Sequence, residues 1–357
     1  MKLQIYLGLV TLIFLWAYST PANGYNVICY FSSWAIYRNF SGKFDVSDID
    51  PHLCTHVNFA FVELYEDGSL YIVDPWESND KNDGGYYEGF KQLKNLKNTN
   101  PGLKVLLSLG GWNEGSKNFS IVAANPSKRQ RLARECLALI EEYGYDGIDI
   151  DWEYPTLRDG SHPEDKDNFV EMLKDFQDIM KPKGLLLTAA VAGAVDKIES
   201  AYHATGLEYW LYKNADSSKI NLGLPTYGRT FTLADRTKTE LYSEVLGPGE
   251  RGLYTGIRGS LGYHEICEFY SGSDSTYYWD DEQKVPHRVW EDQWAGYDDQ
   301  RSIQYKVDFA VSHNLAGVLI WSLDTDDFRG ECGRKYPLSY AAKERLMYHE
   351  AKKKNNK

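Results

Sequence analysis

The chain lacks the basic excess that nucleic-acid binding needs. It carries 39 Lys and Arg against 51 Asp and Glu, a formal charge of −12, whereas a phosphate backbone is held mainly by cationic side chains. Beyond the first 24 residues it also has no apolar run approaching the roughly 20 residues that cross a bilayer. No Gly-x-Gly-x-x-Gly turn follows the first strand-like run, which argues against a dinucleotide-binding fold. There is no low-complexity linker and no internal repeat, so the reading is of one domain. At 43% hydrophobic and 25% charged residues, the composition supplies a large globular core.

Cysteine is scarce and odd in number. In an oxidising compartment one of the five is left unpaired. Cys136 is that residue: it shares with Leu132, Leu139 and Ile140 the apolar face of a helix opened by Asn125-Pro126 and closed at Gly144. The other four allow three pairings, which spacing alone does not rank. At the N-terminus Lys2 precedes an apolar run, Ile5 to Trp16, then Pro21, Ala22 and Gly24. These are the parts of a secretory leader over 1–24, which predicts a secreted chain. Its removal takes away only Lys2 and moves the charge from −12 to −13. The alternative is a buried N-terminal strand. Residues 341–357 read as a C-terminal tail whose end, "AKKKNNK", is solvated and frayed, and Asn39 and Asn118 begin glycosylation sequons.

Strand-like runs recur at Tyr25–Phe31, His56–Glu63, Leu103–Leu109, Gly147–Trp152, Leu185–Val191, Ile220–Thr226 and Gly317–Ser322. Most are followed by an amphipathic stretch, such as the helix presenting Phe169, Leu173, Phe176 and Met180 on one side. That order predicts an α/β fold, a parallel (β/α)8 barrel within residues 25–340. Some 90 residues separate the last two runs, against roughly 30 for an average barrel unit. The surplus, over 231–290, predicts a small α+β insertion. Only seven strands are found where eight are needed.

The stretch "YDGIDIDWEYP" at 145–155 places Asp149, Asp151 and Glu153 two residues apart, with Ile148, Ile150 and Trp152 between them. On a strand the acids then share one face and the apolar residues the other. In a parallel barrel the apolar set packs under the helices, the acids point into the axis, and Glu153 reaches the catalytic rim. Three confined carboxylates do not all ionise cheaply, so one keeps a proton and serves as general acid. A solvated acidic loop does not suit large apolar neighbours. A divalent-metal site would need carbonyl ligands and turn geometry that the stretch does not offer, so no metal is expected.

"DGIDIDWE" at 146–153 resembles the signature of family 18 glycoside hydrolases, the chitinases and chitinase-like lectins. It is joined by "LLSLGGWN" at 106–113, "LGLPTYGRTF" at 222–231 and "GVLIWSLDTDDF" at 317–328. The likeness runs from about Tyr25 to Pro337 and is nearest to insect chitinases. It implies a (β/α)8 TIM barrel with an α+β insertion between the last two strands, and the disulfides Cys29–Cys54 and Cys267–Cys332. It also implies a substrate, a β-1,4-linked N-acetylglucosamine polymer, cleaved with retention by a substrate-assisted route without cofactor. Glu153 would be the acid, Asp151 would hold the substrate acetamido group, and Asp149 would lie beneath. Because sugar rings present flat C–H faces to aromatic side chains, Trp321 would floor the cleft. Trp34, Trp112 and Tyr227 would line it, with Tyr30, Phe61, Gly110, Gly111, Asn113, Tyr154, Arg229 and Glu265 around them and Trp76 as a further candidate.

A monomer is expected, with no nucleic-acid or membrane partner; no Cys-rich chitin-binding module follows the barrel, so soluble chito-oligosaccharides are expected to be handled better than insoluble polymer. The alternative is a chitinase-like lectin or growth factor that binds without cleaving; the presence of Glu153 favours an enzyme. One departure stands out. Only 28 residues separate Val191 from Ile220, and residues 192–219 contain no Met-x-Tyr-Asp motif, which the family carries there on a further strand. The sixth barrel strand is thus expected to be absent, and activity impaired.

Overall fold

The computed structural model of the chain describes residues 24–74, 88–192, 215–269, 271–272 and 274–355, together with residue 211 and the backbone of 13–14. Strands β1 (Ile13–Phe14), β2 (Asn26–Ser32), β3 (His56–Leu64), β4 (Leu70–Ile72), β5 (Lys104–Gly110), β6 (Gly147–Asp151), β7 (Leu186–Val191) and β8 (Asn221–Pro225) join a last strand, Gly317–Trp321, in one curled sheet. Its order is β2, last strand, β8, β1, β7, β6, β5, β3, and β3 pairs back to β2, so the sheet closes. β4 is an antiparallel hairpin partner on β3.

Alternation along each strand divides the core in two. Outward residues such as Phe31, Phe59, Leu107, Ile150, Leu224 and Ile320 belong to the main apolar cluster between sheet and helices. Inward residues Ile28, Tyr30, Ala60, Ala190 and Leu319 form a small separate cluster along the axis, against which Phe61 and Trp321 pack. Period-two patterning therefore decides which side chains face the site.

Helices α1 (Gly89–Thr99), α2 (Lys117–Ala123), α3 (Pro126–Tyr143) and α4 (Asp165–Met180) flank this half of the barrel. α3 shows how local chemistry sets the acidic strand. Asn125 Oδ1 accepts from the amides of Ser127 and Lys128 at 3.0 and 3.3 Å, Pro126 fills the first turn, and Gly144 closes the helix at φ 68°. The chain then turns into β6 through Asp146, whose carboxylate accepts from Lys97 at 2.6 Å, Lys104 at 3.1 Å and the Val105 amide at 2.9 Å. The base of the acidic strand is pinned before its tip is reached.

The gap in the sequence has a structural counterpart. β7 and β8 do not pair with each other. β1 stands between them, antiparallel, through Ile13↔Val191, Phe14↔Ala190 and Ile13↔Leu222, while the other barrel neighbours are parallel. Two residues of the N-terminal apolar run, Ile13 and Phe14, thus stand in the place of a full strand. The remainder of the segment expected to be a leader (1–12 and 15–23), Trp76, and most of the 192–219 junction lie outside the described residues.

Two boundaries differ from expectation. The insertion's antiparallel sheet begins at Tyr227 and ends at Gly296, beyond 231–290, because Tyr227–Leu233 pairs with Gln293–Gly296. Its helix is Tyr263–Phe269. Of the tail expected over 341–357, residues 341–355 instead belong to a helix, Pro337–Asn355. Leu338, Ala341, Ala342 and Leu346 recur at helical spacing and are buried against the barrel, which the basic terminus obscured. The bridges Cys29–Cys54 and Cys267–Cys332 are formed, and Cys136 is free and buried. Of the two sequons, Asn39 is exposed, whereas Asn118 donates to Leu64 O at 3.0 Å and precedes buried Phe119 and Ser120. Among the described residues no helix is long and apolar enough to cross a membrane.

Candidate active site

Strand register assembles the site from the bottom up. Ser108 of β5, Asp149 of β6 and Thr188 of β7 are direct neighbours on one rung. Their side chains meet on the axis: Asp149 accepts from Ser108 Oγ at 3.0 Å, Thr188 Oγ1 at 2.7 Å and the Tyr30 hydroxyl at 2.6 Å. Burial pushes the Asp149 pKa up, and these hydroxyl donors pull against that rise. The Tyr30 phenol, buried beside two carboxylates, is held in its protonated form.

One step up, Asp151 is buried, and neither of its oxygens has a hydrogen-bond partner among the described residues. Burial first, then the charges of Glu153 and Asp149, hold its carboxyl well above the ordinary range. A buried carboxylate without donors is costly. Such a group is either protonated or takes a donor from beyond the described residues. Because its folded pKa is raised, the folded state binds more protons than the unfolded one between the two values. The resulting stability is present below the ordinary carboxylate range of about 4 and is lost as pH rises through the folded value. Asp151→Asn is therefore expected to unfold at a higher temperature than the parent at pH 8. The gap should amount to about 2–4 °C per kcal/mol recovered and should close towards pH 4. Equal melting temperatures at pH 8, read by circular dichroism, would contradict the raised pKa.

Glu153, at the strand tip, lines a cavity of about 410 Å³ with Trp112, Tyr154, Gly223, Leu224, Pro225, Tyr227, Arg229, Ile257, Leu319 and Trp321. Burial raises its pKa, while the Tyr154 hydroxyl and the Arg158 charge lower it in part. Behind the acids, Trp152 points into the core: it stacks on Phe119 at 5.1 Å, meets Phe169 edge-on at 5.7 Å, and donates to Ser116 Oγ at 3.0 Å. Truncating such a fully buried ring costs about 3–5 kcal/mol, so the acid row rides on a rigid strand.

The aromatic residues form a connected row. Trp321 lies 4.8 Å from Tyr30 and is stacked 5.6 Å from Phe61, which is stacked in turn 6.0 Å from Trp34. Trp34 and Trp112 are exposed at 42% and 59%, and Arg229 lies over the Tyr227 ring at 5.2 Å. Gly110 and Gly111 sit at φ 112° and 87°. A Cβ on the first would meet Asp151 O at 2.4 Å, and one on the second the Phe61 ring at 2.5 Å, so only glycine lets this turn lie against the acids. Asn113 is exposed beside Trp112.

Glu265 does not join them. It is fully buried, and its carboxylate accepts from the Tyr254, Thr255 and Gly262 amides and the Thr255 hydroxyl at 2.7–3.0 Å. It holds the loop that brings Ile257 to the cavity wall. The acids of "LDTDDF" are also structural. Asp324 pairs with Arg38 at 2.6 Å, Asp326 accepts from Ser339, and Asp327 accepts from the amides of 330–332. Sequence reasoning missed Ser108, Thr188, Ile257 and Arg158. The first two had a readable signal, a lone hydroxyl on the inward side of an apolar strand; the last two sit on loops with none.

The profile of Glycosyl hydrolases family 18 matches residues 26–208 and 204–326, in two pieces that meet between β7 and β8. Probable chitinase 2 of Drosophila melanogaster is 37% identical over 87% of this chain and 74% of its own length. The crystal structure of Ostrinia furnacalis Group IV chitinase in complex with allosamidin superposes with a TM-score of 0.86 at 34% identity, over 91% of this chain and 99% of that one. Human YKL-39, a pseudo-chitinase with retained chitooligosaccharide binding, superposes at 0.81 with 29% identity, over 90% of this chain and 100% of that one.

Proposed function

This chain belongs to glycosyl hydrolase family 18, and we propose that it is a secreted, monomeric chitinase-type hydrolase acting by substrate-assisted acid and base catalysis. The observation that carries the mechanism is the gradient along one strand. Asp149 is saturated with hydroxyl donors, Asp151 has none among the described residues, and Glu153 opens on the cavity. An N-acetylglucosamine ring resting on Trp321 would present its acetamido N–H to Asp151. The acetamido oxygen would then attack the anomeric carbon while Glu153 protonates the departing glycosidic oxygen. Charge on the resulting oxazolinium would be met by Asp151 and, beneath it, Asp149. Glu153, now a carboxylate, would take a proton from the water that opens the ring, so the stereochemistry is retained. This differs from the two-carboxylate scheme, since the nucleophile belongs to the substrate.

A second reading, binding without turnover, is favoured by the seam between β7 and β8, where the Met-x-Tyr-Asp segment is missing. One experiment separates the two. The purified chain is given a fluorogenic chito-oligosaccharide and, in parallel, titrated with chitohexaose by calorimetry. Binding with release of the fluorophore supports the hydrolase; binding without release supports the lectin; neither would overturn both.

A further inference from the structure

Trp112 presents a difficulty for any platform role. Its indole is 59% exposed on a loop that leaves β5 through two glycines, yet a stacking surface must stand still to be useful. The structure supplies the brace from the next loop of the barrel. After Glu153 the chain passes Pro155 and Thr156, the latter at φ 66°, and returns Arg158 to the rim. The Arg158 guanidinium lies 4.1 Å over the Trp112 ring. Its Nη1 donates to Trp112 O at 2.5 Å and to Glu153 O at 3.3 Å. Two further bonds join the same loops: Ser116 Oγ donates to Tyr154 O at 2.8 Å, and the Gly111 amide to Asp151 O at 2.8 Å.

We propose that Arg158 is a positioning residue that clamps the Trp112 indole to the backbone of the proton donor, fixing the sugar platform relative to Glu153. One face of the indole is taken by the guanidinium, and the opposite face is left for a pyranose ring. The ring's electron-rich face attracts the cation, and the planar fork reaches two carbonyls at once, which an ammonium on a flexible stem does not reproduce. The ligand part of this inference rests on the saccharide reading above; the clamp itself does not.

The test therefore has one arm without ligand. Chain labelled with 5-fluorotryptophan, its Trp112 signal assigned through Trp112→Phe, is compared with Arg158→Ala and Arg158→Lys by fluorine NMR. The Trp112 signal is expected to shift or broaden in both variants, more in Arg158→Ala, with the other indole signals unchanged. In the second arm chitohexaose binding is expected to weaken about tenfold in Arg158→Ala and about threefold in Arg158→Lys, in keeping with an ordinary cation–π contact plus a charge-assisted bond. In a Trp112→Ala background the same Arg158→Ala change should cost less than twofold, since the partner is gone. An unmoved Trp112 signal, or a full tenfold loss in the Trp112→Ala background, would overturn the clamp. If the parent chain binds no chitohexaose, the saccharide reading fails and the fluorine signal alone decides on the clamp.

Discussion

Glu153→Gln is expected to lower turnover on chito-oligosaccharides by about 10²–10⁴, with chitohexaose affinity within about threefold of the parent. The amide keeps the shape and size of the side chain at the cavity wall but offers no proton for the leaving oxygen. The acid is poised by two opposed influences: burial raises its pKa, while Tyr154 and Arg158 restrain the rise. A carboxyl tuned upward in this way stays protonated closer to neutral pH than an exposed one. Affinity is expected to survive because, on the proposed reading, the sugar would rest on Trp321 and its aromatic neighbours, which the substitution leaves alone. Turnover is read by steady-state fluorescence and affinity by calorimetry. Near-normal turnover in Glu153→Gln would show that the acid lies elsewhere.

The acid row was legible because its two signals are local. Alternation of Asp149, Asp151 and Glu153 with Ile148, Ile150 and Trp152 settles strand and facing together, and the structure puts the acids on the axis and the apolar set in the core. All seven expected strands lie within a residue of their observed bounds for the same reason. What the sequence hid depends on contacts between distant segments. Arg158 is an ordinary loop cation until folding places it over Trp112, 46 positions away. Glu265, expected around the cleft, spends its carboxylate on a loop. The cysteine spacing left three pairings open; the family resemblance, rather than the spacing, supplied the one that is formed.

Inserting the family's βα segment, with its Met-x-Tyr-Asp motif, between β7 and β8 is expected to raise turnover by about 10²–10³, the usual worth of a group that orients or stabilises developing charge. Two observations motivate this. Asp151 has no hydrogen-bond partner among the described residues, so nothing described there aligns it or shares the acetamido group with it. Among the described residues the barrel is also closed at that point by only the two residues of β1, antiparallel, through three residue pairs. Elsewhere in the ring each pair of neighbouring strands is joined through four to six residue pairs. A leader cut after Gly24 would remove even that bridge and leave β7 and β8 with unpaired edges, a liability for stability and for association. The restored chain should therefore also melt higher, on the order of 10 °C, given about 2–4 °C for each kcal/mol regained. The comparison is made with chains beginning at Tyr25, with and without the segment, by thermal unfolding and by turnover on one fluorogenic substrate. Equal melting and equal rates would mean that seven strands close the barrel and that the acid row works without the absent Tyr and Asp.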